Sequence, residues 1–333
     1  MFEALGICLG LAALLTLNAI TSLLTSVLWR ALRRRAEKWP ASARAQLIFA
    51  LRVSPSIIAI VCVGALLLPA YIAHEPRHVV EPVSLKLAAL SALSAAGLLL
   101  AAWRGVAAWI ATRRLTNDWL RAAEPINSNQ IPIPAYRLSH SFPVIAIVGA
   151  IRPRLFIADH LFQSLTREEM AAAIAHERGH LAARDNLKRA LLRACRDALA
   201  IVPSGGRLDR AWAEASEAAA DEHAAKTGCA AALDLASALV KIARLVPAGA
   251  KPAMPAGVLL IGDDAGGIAR RVRRLTEIAG FDQVETAQPR FGSRALPWAC
   301  LAAILTSVIL MATHPPMLLA VHNVIEIAVS KLQ

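Results

Sequence analysis

Long apolar stretches alternate with charged segments in the first third of the chain and return near its end. Four stretches are long enough for the ~20 apolar residues that a transmembrane helix requires. They cover about residues 3–29, 54–73, 87–110 and 295–313. The pattern predicts three transmembrane helices in residues 1–112. It predicts a fourth helix followed by a short external tail in residues 294–333.

The first apolar stretch is predicted to remain in the mature protein rather than to be a cleaved signal peptide. A signal peptide has a basic segment followed by an apolar run of about 7–15 residues. Here the apolar run is longer, no basic residue precedes it, and the basic cluster "RALRRR" follows it.

Residues 113–293, between the third and fourth apolar stretches, have the mixed composition of a globular domain. Aliphatic and aromatic residues at 131–139, 142–149 and 152–159 predict a small sheet, with a hairpin turn near Gly149. One long helix over 164–202 and a second over 208–227 are predicted to follow, and Thr166 and Glu169 form a T-x-x-E capping box at the start of the first. The predicted fold is therefore a mainly α membrane protein with an α+β domain that contains a small β-sheet.

The charge distribution indicates the orientation of this domain. The chain has a net charge of +12 and is 56% hydrophobic, with a mean hydropathy of +0.50. Basic residues cluster after the first and third stretches and before the fourth. Because basic residues favour the cytosolic side, this pattern predicts a protein of the cell membrane with an external N-terminus and with the domain of residues 113–293 in the cytosol. Because this topology explains the arginines and no nucleic-acid motif accompanies them, no direct nucleic-acid binding is expected.

The five cysteines have no C-x-x-C spacing. Three of them lie in the apolar stretches, and Cys195 and Cys229 are far apart in the predicted domain. Reduced, structural thiols are therefore predicted rather than a disulfide framework or a thiolate zinc site.

The stretch "AIAHERGHLAARD" places two histidines four residues apart in a predicted helix. Residues at this spacing lie one above the other on a helix face, so His176 and His180 can bind one metal ion. Glu177 lies on the adjoining face, where it can contact a water molecule held at the metal. This H-E-x-x-H pattern predicts one catalytic Zn²⁺ with two histidine ligands and Glu177 as general base.

A third zinc ligand is predicted on the second helix, where Glu214, Glu217 and Asp221 share one face among alanines. Glu217 is the central residue and the expected ligand. Asp221 is expected to accept a hydrogen bond from a ligand imidazole. His223 is an alternative ligand, and Glu214 is interpreted as solvated.

The segments "RPRLFIADHLFQSLTREEMAAAIAHERGHLAARDN" and "SEAAADEHAA" resemble the zinc domain of BlaR/MecR-type membrane metallopeptidases over about residues 142–275. The related HtpX and CAAX-prenyl-protease group has a similar H-E-x-x-H and a downstream E-x-x-x-D. The resemblance implies a zincin-like (gluzincin) fold with His176, His180 and Glu217 as zinc ligands, Glu177 as base and Asp221 as a supporting residue.

The sequence departs from the antibiotic sensors of that type. About twenty residues follow the fourth apolar stretch, with no S-x-x-K acylation motif, so direct β-lactam sensing is not expected. The predicted function is a membrane zinc metalloendopeptidase that acts on cytosolic or membrane proteins in regulatory signalling, with a transcriptional repressor as one candidate substrate. An HtpX-like quality-control protease and a non-catalytic zinc scaffold are the alternatives.

The sequence offers candidates for the substrate-binding edge, for the oxyanion donor and for the role of the segment 247–274. An extended substrate is expected to pair with the edge of the sheet at 142–159. Arg210, His223 and backbone groups are candidates for stabilising the oxyanion. The segment 247–274, rich in Gly and Pro and then basic, is interpreted either as a linker ending in a membrane-surface helix or as a site of self-cleavage.

Overall fold

The computed structural model describes residues 2–76, 83–126, 131–198, 205–228, 230–246, 265–280 and 292–332. Its helices, in chain order, are α1 (Phe2–Ala36), α2 (Ala41–Cys62), a π-helical turn (Val63–Leu67), α3 (Leu68–His74), α4 (Leu85–Arg121), α5 (Leu161–Ser164), α6 (Arg167–Ala183), α7 (Asp185–Ala198), α8 (Gly206–Ala225), α9 (Ala231–Leu245), α10 (Ala265–Gly280), α11 (Gly292–Ala312) and α12 (Pro315–Leu332). The strands are β1 (Ala123–Ile126), β2 (Ala135–Leu138), β3 (Ile145–Val148) and β4 (Arg154–Ala158).

Four helical segments of the described chain are long and apolar enough to cross a membrane, as the hydropathy pattern predicts. They are Phe2–Ala36, Ala41–His74, Leu85–Arg121 and Ala295–Ala312. The first three helices are longer than the apolar stretches, because each continues into the neighbouring charged or polar residues. The four helices indicate association with a membrane.

The small sheet is mixed, with the strand order β1-β2-β4-β3. Strands β3 and β4 form the predicted antiparallel hairpin, and β2 runs parallel to β4. Gly149 closes the hairpin turn with φ of 100°, and a Cβ there would lie 2.7 Å from the Arg152 carbonyl oxygen. Strand β1, which pairs antiparallel with β2, was not predicted from the sequence.

The prediction of one long helix over residues 164–202 is wrong. The chain forms α5, α6 and α7 here, and Arg184 ends α6 in the left-handed conformation, with φ of 54°. No glycine or proline marks the break, which turns the chain so that Asp185 at the start of α7 faces back toward α6. The predicted capping box is confirmed, because Thr166 and Glu169 bond reciprocally at the start of α6.

The candidate membrane helices and the sheet domain share packed surfaces. Helix α4 places Trp119, which is 6% exposed, in the main core beside Phe156 of β4. Arg52 of α2 is 4% exposed, and its Nε donates to Asp209 Oδ1 of α8 at 3.0 Å. Helix α8 is therefore tied directly to α2, which belongs to a candidate membrane span.

The structure bears on two further sequence predictions and on part of a third. The residues predicted as a short tail form α12, which packs against α1, α3 and α4. Cys8, Cys62, Cys195 and Cys300 are free, as predicted, whereas Cys229 lies outside the described residues. Of the segment 247–274, the described part begins at α10, and residues 247–264 lie outside the described residues.

Candidate metal centre

Helix α6 carries the H-E-x-x-H residues on its buried side. His176 is fully buried, Glu177 is 5% exposed, and the rings of His176 and His180 are 4.8 Å apart between centroids. The spacing of four residues brings the two rings to one face, as the helical period requires.

Helix α8 packs closely against α6 because small residues line the contact. A Cβ added at Gly179 would lie 3.0 Å from the Cα of Ala220, closer than side chains ordinarily pack. The alanine-rich face of α8 therefore lets Glu217 and Asp221 reach the imidazoles of α6. The alanines that flank the acidic residues of the second helix in the sequence are the small residues that permit this close approach.

His176, His180 and Glu217 form a group whose ligand atoms all lie within 4.8 Å of one another. The Nε2 atoms of His176 and His180 are each 3.5 Å from a different oxygen of the Glu217 carboxylate. Ligands about 2.1 Å from a tetrahedral zinc ion are about 3.4 Å apart. Each of the two histidine–carboxylate separations is therefore close to one edge of a zinc coordination tetrahedron, with the two histidines facing different oxygens of Glu217.

The environment of one Glu217 oxygen favours a bound cation between the three side chains. Glu217 Oε2 is buried, and it accepts no hydrogen bond from the described residues. The Arg271 Nη1 atom lies 3.3 Å away and balances part of its charge without making a hydrogen bond. A metal ion would supply the direct partner that a buried carboxylate oxygen otherwise lacks. The donor set of two imidazoles and one carboxylate is one that zinc commonly takes in catalytic sites.

A carboxylate holds the outward ring nitrogen of each histidine. Asp221 Oδ1 is 2.9 Å from His176 Nδ1, and Asp185 Oδ2 is 2.7 Å from His180 Nδ1. Ser216 donates to the same Asp185 oxygen at 2.6 Å. Such contacts fix the Nδ1–H tautomer, so that Nε2 presents its lone pair to a metal. Asp221 was predicted to lie here, whereas Asp185 was missed.

Helix α10 contributes a second residue that sequence reasoning missed. Arg271 is 8% exposed, and its Nη2 donates to Asp221 Oδ1 at 2.7 Å while its Nε donates to Asp221 Oδ2 at 3.1 Å. Its Nη1 lies 3.3 Å from Glu217 Oε2. The only sequence signal was the basic run "RRVRR", in which nothing distinguishes Arg271 from its neighbours.

Glu177 points toward the edge of the sheet. Its Oε2 accepts a hydrogen bond from the backbone N–H of Ile147 in β3 at 3.2 Å. Asn186 of α7 donates to the carbonyl of the same residue at 2.9 Å. The β3 edge therefore lies beside the H-E-x-x-H helix.

Burial and charge shift the pKa values of these groups. Burial raises the pKa of Glu177. Burial alone disfavours the charged form of His180, but the negative charge of Glu217 and hydrogen bonds to Asp185 and Glu217 outweigh it and raise the pKa of His180 to about 10. Burial also opposes ionisation of Glu217, yet the charge of His180 and the close approach of both imidazoles hold the pKa of Glu217 well below its usual range. The site thus favours a positive charge, on His180 or in its place, next to the ionised carboxylate of Glu217.

The other sequence candidates lie away from the grouped ligand atoms. Glu214 is exposed and pairs loosely with Arg270 at 3.8 Å, in agreement with its interpretation as solvated. His223 is exposed and lies outside the grouped ligand atoms. Arg210 is also exposed, and its Nε donates to the Gly206 carbonyl of its own helix at 3.3 Å.

Comparison with known proteins bears on the region that contains the pentad. Residues 110–202 match the model of peptidase family M48. The match covers the end of α4, the sheet and the H-E-x-x-H helix, and it ends before Glu217. It supports a metallopeptidase of a membrane type. Neither the curated proteins nor the solved structures gave a match.

Proposed function

We propose that this chain is a membrane-embedded zinc metalloendopeptidase, with His176, His180 and Glu217 as the zinc ligands. The observation that carries the proposal is the spacing of 3.5 Å between each histidine Nε2 and the Glu217 carboxylate. The family match to residues 110–202 supports a peptidase independently of this geometry. The BlaR/MecR type is the finer assignment that we propose on the motif pair and the chain topology.

Zinc at this position supplies Lewis acidity, which lowers the pKa of water and polarises a peptide carbonyl. Glu177 is the proton carrier. As a buried carboxylate with a raised pKa, it is suited to accept a proton from the attacking water and to return it to the leaving nitrogen. The Ile147 N–H holds its Oε2 at 3.2 Å, which orients the carboxylate for this role.

Asp185, Asp221 and Arg271 are positioning residues in this mechanism. The two aspartates hold the His180 and His176 rings through Nδ1. Arg271 neutralises Asp221 through two donors at 2.7 and 3.1 Å. Without this guanidinium, the side chain of Asp221, which is 1% exposed, would be a buried charge balanced by His176 alone.

The clefts around the site favour substrates that are close to the membrane. One cleft is lined by Ile147, Glu177, His180 and Arg189. A second cleft shares Ile147 and Arg189 with it and extends to Ala101, Trp109 and Thr112 of α4. Because α4 is a candidate membrane helix, an extended substrate segment that enters along α4 would reach the β3 edge beside Glu177. We propose membrane or cytosolic proteins as substrates, with a transcriptional repressor as one candidate.

We propose that the peptidase domain is cytosolic and that the N-terminus is external, in the cytoplasmic membrane. This orientation rests on the basic residues at the C-terminal end of α1 and on those that follow the apolar part of α4. A quality-control role against misfolded membrane proteins is the second candidate, and the cleft that extends to α4 supports it equally. Substrates trapped by a Glu177→Gln variant in cells would separate the two roles, because a regulator yields one abundant partner and a quality-control protease yields many.

Cleavage of a generic unfolded protein by the full chain in detergent tests the peptidase assignment. We expect activity that a chelator removes and added zinc restores. Glu217→Ala should lose both zinc and cleavage. The matched variant Glu214→Ala, three residues away on the same helix, should keep both because its side chain is 67% exposed. Equal activity in the two variants would overturn the ligand assignment.

A further inference from the structure

A second group of metal-binding side chains lies at the end of the helix bundle farthest from the sheet. Glu75 follows α3, and His322 and Glu326 are one turn apart on α12. The segment Ala41–His74 is 34 residues long, so its ends are about 50 Å apart at 1.5 Å per residue. Its first residue contacts Glu222 of α8, which places Glu75 far from the candidate metal centre.

The packing of α12 sets the direction in which His322 points. Ile325 and Val329 are 6% and 8% exposed and pack in one cluster with Leu5, Leu9, Tyr71 and Leu87. Residues three apart on a helix share a face, so burial of Ile325 turns His322 toward the end of α3. The position of the imidazole beside Glu75 is therefore a consequence of the α12 core contacts.

The three side chains offer converging ligand atoms. His322 Nδ1 is 3.9 Å from Glu75 Oε2, whereas the other ring nitrogen, Nε2, is 4.0 Å from Glu326 Oε1, so only one of the two carboxylates faces the nitrogen that would bind an ion. One ligand atom from each residue lies within 4.8 Å of the other two. The His74 ring stacks on the His322 ring at 5.7 Å between centroids, and it restricts the movement of the His322 imidazole on that side.

One of these atoms lacks the partner that its burial requires. His322 Nδ1 is buried and has no hydrogen-bond partner among the described residues. The side chains of His322 and Glu75 are only 13% and 7% exposed. A buried ring nitrogen next to a buried carboxylate is the arrangement that a metal ion satisfies, because both atoms become ligands.

We propose that Glu75, His322 and Glu326 form a second binding site, for a divalent transition-metal cation such as Zn²⁺. One imidazole and two carboxylates suit borderline cations of this class, and three protein ligands leave room for water. The present spacing is wider than the about 3.4 Å of a zinc tetrahedron, so Glu326, whose side chain is 46% exposed, swings inward on binding. A cation held here joins α12 to the end of α3.

The number of zinc ions bound per chain tests this site. The full chain in detergent, with any affinity tag removed, would be loaded with zinc, freed of unbound metal and measured by elemental mass spectrometry. We expect two zinc ions in the wild type and one in His322→Ala. His314→Ala is the matched control, since His314 is exposed on the turn before α12, and it should keep two.

A Glu217→Ala background separates the two metal sites. In that background we expect one zinc ion, which is lost when His322→Ala is added. Glu326→Gln changes a half-exposed side chain and should weaken binding of this zinc ion without affecting the fold. Circular dichroism would check that the fold is kept. The proposal is overturned if His322→Ala and Glu326→Gln keep the same zinc content in this background, or if the background itself binds no zinc. Either result would leave the catalytic assignment intact.

Discussion

His180 Nδ1 lies 2.7 Å from Asp185 Oδ2, across the break between α6 and α7. The left-handed conformation of Arg184 makes this contact, because it ends α6 and returns the chain toward the histidine. Asp185 is 4% exposed, and Ser216 of α8 donates to the same oxygen. The break in the helix therefore connects the H-E-x-x-H helix to the helix that carries Glu217.

Asp185→Asn is expected to weaken zinc binding. The amide can no longer hold the Nδ1–H tautomer of His180 as a carboxylate does, and loss of such a contact typically lowers metal affinity by about 10- to 100-fold. Competition with a chromogenic chelator would measure the affinity. Asp118→Asn is the control, since Asp118 is 69% exposed on α4, and it should bind zinc as the wild type does. An unchanged affinity in Asp185→Asn would remove this residue from the account.

Arg271→Gln is expected to destabilise the protein by about 3 kcal/mol or more, because it removes the guanidinium partner of a buried Asp221. The neighbouring Arg270→Gln should change stability by about 1 kcal/mol or less, since Arg270 and Glu214 are 69% and 67% exposed. Chemical unfolding in detergent would compare the two variants. A similar loss in both would indicate that the basic run acts through its total charge rather than through Arg271.

The residues found from sequence are those whose positions follow from helical periodicity. His176 and His180 share a face because they are four residues apart, and the four-residue step from Glu217 to Asp221 has the same basis. Asp185 and Arg271 reach the site through a helix break and through a helix about ninety residues further along the chain. Neither event leaves a local signal, because Arg184 is not a residue that favours a left-handed conformation.

The fold shows the same division. Apolar stretches identified the four long helices, and aliphatic and aromatic residues identified the segments that contain β2, β3 and β4. Strand β1 was missed because the segment "AEPI" has little β-propensity of its own and depends on pairing with β2. The packing of α12 against the far end of α1 and α3 was also missed, since tertiary contacts bury Ile325 and Val329.

Glu169→Gln should destabilise the protein by about 1–2 kcal/mol at neutral pH. Burial raises the pKa of Glu169, but hydrogen bonds from Lys241, Ser237 and the Thr166 backbone outweigh it and lower the folded pKa below 4.5. The stabilisation is therefore present above pH 4.5 and is lost as the pH falls through the folded pKa. Thermal unfolding midpoints across this range would measure the difference from wild type.

The control for this pH dependence is Glu168→Gln, in the same first turn of α6 but exposed. It should leave the unfolding midpoint nearly unchanged at neutral pH. A Glu169→Gln difference that stays constant down to pH 2 would contradict the assignment of the effect to the ionised carboxylate.

Reporter fusions are expected to reveal the orientation of the chain. Fusions after Arg35 and near Asp209 should report the cytosol, because basic residues favour that side of the membrane. A fusion near Val80, which lies outside the described residues, should report the exterior. An external Asp209 would reverse the topology and exclude cytosolic substrates.

Glu177→Gln tests the central claim most directly, through its zinc content and its cleavage of an unfolded protein measured side by side with wild type. The account predicts wild-type zinc content, because His176, His180 and Glu217 remain, and a loss of cleavage of about 100-fold or more, because the proton carrier is removed. His176→Ala, measured alongside, should lose both zinc and cleavage. Full cleavage by Glu177→Gln would contradict the account.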